Sequence, residues 1–315
     1  MDEYIEIRGV TKRFKNNLVL DNLSLKIPKG KLFGVIGENG SGKTTLLNII
    51  IGFLKPDKGT VLFEGIDIFS ELRDIEAHFG FATQESAFYK HLTVEENLFY
   101  YGNLYKIPKK ELNDRVKKIL DLVNLSNAKH ISANHLSVGM KRRLDIACAL
   151  IHKPYVLILD EPTEDLDPLL RIDMLNLIRR IKQDGTTVII TSHHLEEVEE
   201  YCDIVAILSK AKIIKIGTPE QLELEYSKNM VVEFELASKN YIDFVKKIKD
   251  KIKIHSIEYE NNRVIILTQE AVKLANLVFD LAKAHKEEIV YLNLNRPSLD
   301  LIFKSIIRGE HVKGI

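Results

Sequence analysis

Nine consecutive residues, Gly37-Glu38-Asn39-Gly40-Ser41-Gly42-Lys43-Thr44-Thr45, carry the clearest chemistry in the chain. They stand between an apolar strand, Lys31 to Ile36, and an apolar helix, Leu46 to Leu54. Glycines let the main chain turn tightly enough for successive N–H groups to converge on phosphate oxygens. A helix starting near Lys43 adds the positive end of its dipole. Lys43 is then a mobile cation for β- and γ-phosphates, and the Thr44 hydroxyl is a ligand for the Mg²⁺ that accompanies them.

A phosphate loop alone leaves kinases, GTPases, motors and transport ATPases open. The second chemical signal is Val156-Leu157-Ile158-Leu159-Asp160-Glu161-Pro162, a buried strand that delivers two carboxylates at its C-terminal end. Open α/β sheets bind ligands at that end. Asp160 is assigned to the Mg²⁺ shell and Glu161 to the water that attacks the γ-phosphorus, because phosphoryl transfer depends on positioning and electrostatics. The rival reading, an acidic pair capping a helix, carries less weight because this strand follows a phosphate loop in the same chain.

The elements that must position these groups follow from periodicity. Residues 3–9, 18–27, 31–36 and 60–64 predict a mostly antiparallel β-region leading into the loop. Across 94–127, Leu98, Tyr101, Leu104, Leu112, Val116, Ile119, Leu120 and Val123 recur at helical spacing, broken at Pro108, and predict a helical insert. An amphipathic helix over 141–151, the strand 156–159, a helix over 168–183, a strand over 187–191 and a helix over 195–201 give the alternation of a parallel sheet. Past about residue 225 the texture turns Lys- and Ile-rich. There the pattern predicts strand 229–237, helix 239–250, strands 252–259 and 263–268 turning at Asn261-Asn262, helix 270–285 and strand 288–294. That order is a ferredoxin-like βαββαβ. A last helix is expected from Ser298.

Composition bounds the rest. The 315 residues suffice for two domains, expected at 1–225 and 226–315 with the helical insert at about 85–150. With 45 basic and 45 acidic side chains, no global field favours nucleic acid, and none is expected as a partner. The lysines at 246, 247, 249, 251 and 253 read as a solvated face. Cys148 and Cys202 read as buried free thiols in a reducing cytosol. No apolar run approaches the ~20 residues of a membrane helix. A membrane role would therefore need another polypeptide.

Residues 1 to about 222 resemble the nucleotide-binding subunit of an ABC transporter. Beyond the two motifs above, Leu136-Ser137-Val138-Gly139-Met140-Lys141-Arg142-Arg143 resembles the family's signature motif. His193 of Thr191-Ser192-His193 resembles its switch histidine, Gln84 the Q-loop glutamine, and Phe14 the aromatic that stacks on adenine. Asp165-Leu166-Asp167 occupies the D-loop. The resemblance implies an ATPase with a P-loop ABC fold, in which a parallel core sheet carries an antiparallel β-subdomain and a helical insert. It implies a head-to-tail homodimer in which each ATP lies between one subunit's loop residues 37–45 and the other's Ser137 and Gly139. Glu161, His193, Gln84 and Lys43 would be catalytic, and Thr44, Asp160 and Gln84 would hold Mg²⁺.

Two departures stand out: Val138 replaces a second signature glycine, and Asp165 stands where glycine is commoner. The Met-Lys-Arg-Arg form, and the closing run from Arg296 to Phe303, resemble exporters of drugs, antibiotics or sodium whose permease is a separate polypeptide. These resemblances imply a peripheral protein on the cytoplasmic face of the cell membrane, with a permease docking near 84–101. Phe88, Tyr89, Phe99 and Tyr100 supply candidate aromatics for that docking. The alternative is an ABC ATPase acting on ribosomes or nucleic acid.

Overall fold

The computed structural model describes residues 3–83, 86–225 and 230–296 and divides into two compact units, the first ending at Ile216 and the second beginning at Gly217. In the first unit, β1 (Glu3–Phe14), β2 (Asn17–Pro28), β4 (Lys58–Phe63) and β5 (Ile66–Asp67) form an antiparallel sheet in the order β2-β1-β4-β5. Its alternating β2 puts Leu20, Leu23, Leu25 and Ile27 into the core, as a one-sided sheet requires.

The second sheet holds the chemistry. It comprises β3 (Leu32–Ile36), β6 (Phe79–Ala82), β7 (Val156–Leu159), β8 (Thr187–Ser192), β9 (Ile204–Ser209) and β10 (Lys212–Gly217), in the order β10-β9-β3-β8-β7-β6. It is parallel from β6 through β9. Every residue of β3, β7 and β8 is buried, which explains the unbroken apolar sequences of β3 and β7 and the apolar centre of β8, Val188 to Ile190. The segment 31–36, read from sequence with the antiparallel region, thus pairs in parallel with β8 and β9. A two-residue turn, Lys210-Ala211, with both φ positive, closes β9 on β10.

Helix α1 (Lys43–Ile51) follows β3 and buries Leu46, Leu47, Ile49 and Ile50 between the sheets. A short α2 (Leu72–Glu76) precedes β6. The helical insert is α3 (Val94–Leu104), opened by a Thr93/Glu96 capping box, and α4 (Lys109–Leu122), which begins after Pro108. Helix α5 (Val138–Leu150) starts three residues earlier than the apolar pattern indicates, because the Ser137 hydroxyl caps it by accepting the Met140 N–H. Helix α6 (Pro168–Gln183) opens on the Asp167 cap with proline in its first turn, and α7 (Leu195–Tyr201) follows β8.

The second unit contains α8 (Pro219–Glu225), β11 (Met230–Leu236), α9 (Ile242–Lys251), β12 (Ile254–Glu260), β13 (Arg263–Thr268), α10 (Ala271–His285) and β14 (Ile289–Asn295). Its strands are antiparallel in the order β12-β13-β11-β14, the ferredoxin-like arrangement. Asn261 and Asn262 both take positive φ in the β12–β13 turn. Phe244, Val245 and Ile248 of α9 and Leu274, Val278 and Leu281 of α10 pack on Val232, Phe234, Val264 and Ile266, while the α9 lysines stay exposed. The final helix expected from Ser298 and the run Pro297–Phe303 lie outside the described residues.

Candidate nucleotide site

The phosphate loop links the end of β3 to α1. Gly42, at φ 106°, lies so close to the strand β2 that an added Cβ would stand 2.9 Å from the Val19 carbonyl oxygen. A side chain there would be strained and would also strike main chain. At Gly37 an added Cβ would come within 2.5 Å of the Leu208 carbonyl oxygen. These two close approaches, one to each sheet of the unit, leave Glu38, Asn39 and Gly40 exposed. The Ser41 N–H is donated to the Glu38 carbonyl, and Ser41 Oγ is buried with no hydrogen-bond partner among the described residues. Such an orphaned hydroxyl suits a phosphate-binding loop.

Lys43 does not extend into solvent. Its ammonium donates to the Gly37 carbonyl at 2.7 Å and lies 3.1 Å from Glu161 Oε1. Glu161 Oε2 accepts from His193 Nδ1 at 2.6 Å, so that ring nitrogen carries the proton. Burial pushes the Glu161 carboxyl up, but Lys43 and His193 together outweigh it and hold it below the ordinary carboxylate range. Glu161 also has φ +48°, a strained conformation that places its side chain just past the end of β7.

Beside this cluster the Thr44 hydroxyl donates to Asp160 Oδ2 at 2.7 Å. Thr191, fully buried in β8, donates to Asp160 Oδ1 at 2.5 Å and accepts the Glu161 N–H at 2.9 Å. One hydroxyl thereby fixes both acids. Thr44 and Asp160 present only oxygen donors, the chemistry of a hard divalent cation. Sequence reasoning named Thr191 only as a neighbour of His193 and gave it no role, since nothing local marks its bonds to Asp160 and Glu161.

The structure therefore gathers Lys43, Thr44, Asp160, Glu161 and His193, with Thr45 in the first turn of α1. A cleft of about 320 Å³ beside them is lined by Val19, Asn39, Gly40, Lys43, Glu161 and Glu164 among others, while Asp160 and His193 do not line it. Burial, then repulsion from Glu161 and Asp165, raises the Glu164 carboxyl. Phe14 stands at the tip of the β1–β2 hairpin, 47% exposed, with the Lys12 ammonium 5.7 Å from its ring. Phe14, Ser137 and Gly139 are not among the residues lining the cleft. Ser137 and Val138 are exposed at the start of α5, while Gly139 is buried with Leu170 beside its Cα. Gln84 lies outside the described residues. Asp165 has φ +62°, the left-handed region where glycine is at ease and aspartate is tolerated.

Residues 20–164 match the family model described as ABC transporter. The linearmycin resistance ATP-binding protein LnrL of Bacillus subtilis (strain 168) is 29% identical over 306 residues, 96% of this chain and 97% of LnrL. Nod factor export ATP-binding protein I of Burkholderia lata is 37% identical over 218 residues, 69% of this chain and 72% of that protein. Among solved structures, the dimeric post-hydrolysis state of the ATP-binding cassette MJ0796 bound to ADP and Pi aligns with a TM-score of 0.62 at 26% identity, covering 68% of this chain and 98% of that one. With its phosphate loop, its paired acids and these relatives, the chain belongs to the ABC transporter ATP-binding proteins and is an ATPase of that family.

Proposed function

We propose that two copies of this chain close head to tail on two ATP molecules beneath a separate membrane permease and drive export. The observation that carries the hydrolytic part is the convergence of Lys43, Glu161 and His193 within 3.1 Å links. Lys43 meets the β- and γ-phosphates, Glu161 orients and deprotonates the attacking water, and His193 reports the γ-phosphate. Phe14 stacks on adenine, Gly37 to Thr45 wrap the phosphates, and Gln84 would join the metal shell and reach the water. Thr44 and Asp160 would hold Mg²⁺, which would supply charge neutralisation on the phosphate oxygens.

The trans arrangement is supported by the exposure of Ser137 at the N-terminus of α5, where a γ-phosphate from a second copy would meet the helix dipole. Among the described residues no helix is long and apolar enough to cross a membrane, which fits a peripheral subunit on the cytoplasmic face. Export is supported by the names of two relatives, one a resistance protein matched across both units and the other an export protein. The docking surface includes Tyr89 and Tyr100, which are exposed and share a hydroxyl–hydroxyl hydrogen bond of 3.0 Å. Phe88 is core at 4% exposure and Phe99 is half-buried, so the tyrosines are the aromatics available to a partner.

The test is affinity purification of the tagged chain from mild-detergent extracts of its native membranes, followed by ATPase assay. A polytopic protein at equal stoichiometry that stimulates Mg²⁺-dependent hydrolysis above a K43A control supports the proposal. Recovery only of ribosomes, nucleic acid or soluble proteins refutes it.

A further inference from the structure

The main chain of one residue, Ala87, is held from two helices. Its N–H is donated to Asp145 Oδ1 at 3.0 Å, and its carbonyl accepts the Tyr101 hydroxyl at 2.6 Å. Asp145 lies in α5, about two turns beyond the Ser137 cap, and Tyr101 lies in α3. Three residues before Asp145, Arg142 donates Nη1 to the Thr83 carbonyl at 3.2 Å. Helix α5 therefore grips the main chain at Thr83 and again at Ala87. From Ala87 the hold continues outward: the buried Asn97 side chain of α3 accepts the Tyr89 N–H at 2.8 Å and donates to the Tyr89 carbonyl at 3.0 Å.

Asp145 is an expensive choice for this place. It is 4% exposed, and burial raises its carboxyl to about 6, although the Ala87 N–H, the Ser86 hydroxyl, Arg142 and the Phe88 N–H all favour the charged form. A neutral side chain would fill the space without that desolvation cost. What the carboxylate adds is a charge-assisted bond to main chain in a setting closed to water.

We propose that Asp145 and Tyr101 are positioning residues that lock the main chain at Ala87 between α5 and α3, one through its N–H and the other through its carbonyl, so that movement of the signature end of α5 is carried to the exposed Tyr89–Tyr100 pair. This rests on the reading that ATP closes two cassettes over Ser137. The clamp gives that closure a defined path through three side-chain bonds: Asp145 to Ala87, Tyr101 to Ala87, and Asn97 to Tyr89. Arg142 tethers the other end of the same segment.

Hydrogen exchange read by mass spectrometry tests this on the full chain carrying E161Q, with and without ATP. Three further substitutions are compared: Asp145→Asn keeps an oxygen for the Ala87 N–H, Asp145→Leu removes it, and Tyr101→Phe removes one hydroxyl. ATP should slow exchange roughly threefold or more in residues 137–141 of every form. The same slowing should appear in residues 86–101 of the parent and of Asp145→Asn. In Asp145→Leu and Tyr101→Phe the response of 86–101 should fall to background while that of 137–141 persists. An undiminished 86–101 response in both of those variants overturns the clamp. Failure of 137–141 to respond in the parent overturns the closing-dimer reading instead. If Asp145→Leu does not fold, Tyr101→Phe decides alone, since it deletes only an oxygen.

Discussion

The Lys43 ammonium and the Glu161 carboxylate form an ion pair of 3.1 Å in which the side chains are 5% and 13% exposed. Under the proposed roles, the charge that would meet phosphate and the carboxylate that would act on water are partners of each other. Entering phosphate oxygens would then compete with Glu161 for Lys43 and free the carboxylate for the water. The two substitutions should therefore separate. K43A should lose nucleotide affinity together with turnover. E161Q keeps the shape and a hydrogen-bond partner, so it should retain ATP binding while turnover falls by about 10²-fold or more. Fluorescent-nucleotide titration and phosphate release check both. Equal losses of affinity in the two variants would contradict this division.

Asp145 makes stability depend on pH with a definite sign. Its pKa rises from 3.8 to about 6 on folding. Between those values the folded form binds the proton and the unfolded chain does not, so stability falls as pH rises through the window. Above it the full cost is present, ~3 kcal/mol at most. D145N carries no charge at any pH. Its melting temperature should exceed that of the parent by about 3–6 °C at pH 7.5, and the gap should narrow to about half at pH 5 and close as pH approaches 3.8. Arg142, Tyr101 and Cys148 face the same carboxylate; the attraction of Arg142 is already part of the Asp145 shift, and burial raises Tyr101 and Cys148 away from this pH range. A gap of equal size at both pH values would argue against the buried charge.

The loop and the paired acids were legible because their signals are local: glycine spacing in one, a buried strand ending in two carboxylates in the other. The ferredoxin-like order was legible for a related reason, since each strand and helix carries its own period and Asn261-Asn262 marks a turn. Thr191 and Asp145 were not. Each acts on a group remote in sequence, Thr191 on Asp160 and Asp145 on the Ala87 main chain 58 residues away, and such pairings exist only once the sheet and insert have formed. The start of α5 was misplaced because Val138 and Met140 are not apolar core positions. The cap that sets it is Ser137.

The left-handed backbone at Asp165 explains how a non-glycine residue survives there and what replaces it safely. Aspartate adopts φ +62° at modest cost, glycine at none, and alanine at about 1 kcal/mol. D165A should lose about that much stability in urea titrations, whereas D165G should match the parent. A neutral D165A would mean that the turn relaxes to another conformation.

Ser137 has two separable duties. As the cap of α5 its hydroxyl accepts the Met140 N–H at 3.3 Å, and removing it should cost about 1 kcal/mol. If the same exposed hydroxyl meets the partner's γ-phosphate, S137A should lower turnover at saturating ATP beyond any loss of folded protein. Nucleotide affinity of the monomer, measured at low protein concentration, should stay unchanged because Ser137 does not line the cis cleft. A fall in monomer affinity would place Ser137 in the wrong site.

Three adjacent aromatics divide between core and surface, and substitution should expose the division. Phe88 is 4% exposed, so F88A should leave a cavity and cost about 3–5 kcal/mol. Tyr89 and Tyr100 are 49% and 37% exposed and meet edge to face at 4.5 Å. Their rings protect one another more than they fill the core, so Y89A and Y100A should each cost no more than about 1.5 kcal/mol. If the pair is the surface a permease meets, the double variant should retain basal ATPase activity and lose stimulation by the co-purified membrane partner. Chemical denaturation and paired ATPase assays give both numbers on the same samples. Unfolding of Y89A and Y100A comparable to that of F88A would assign all three aromatics to packing.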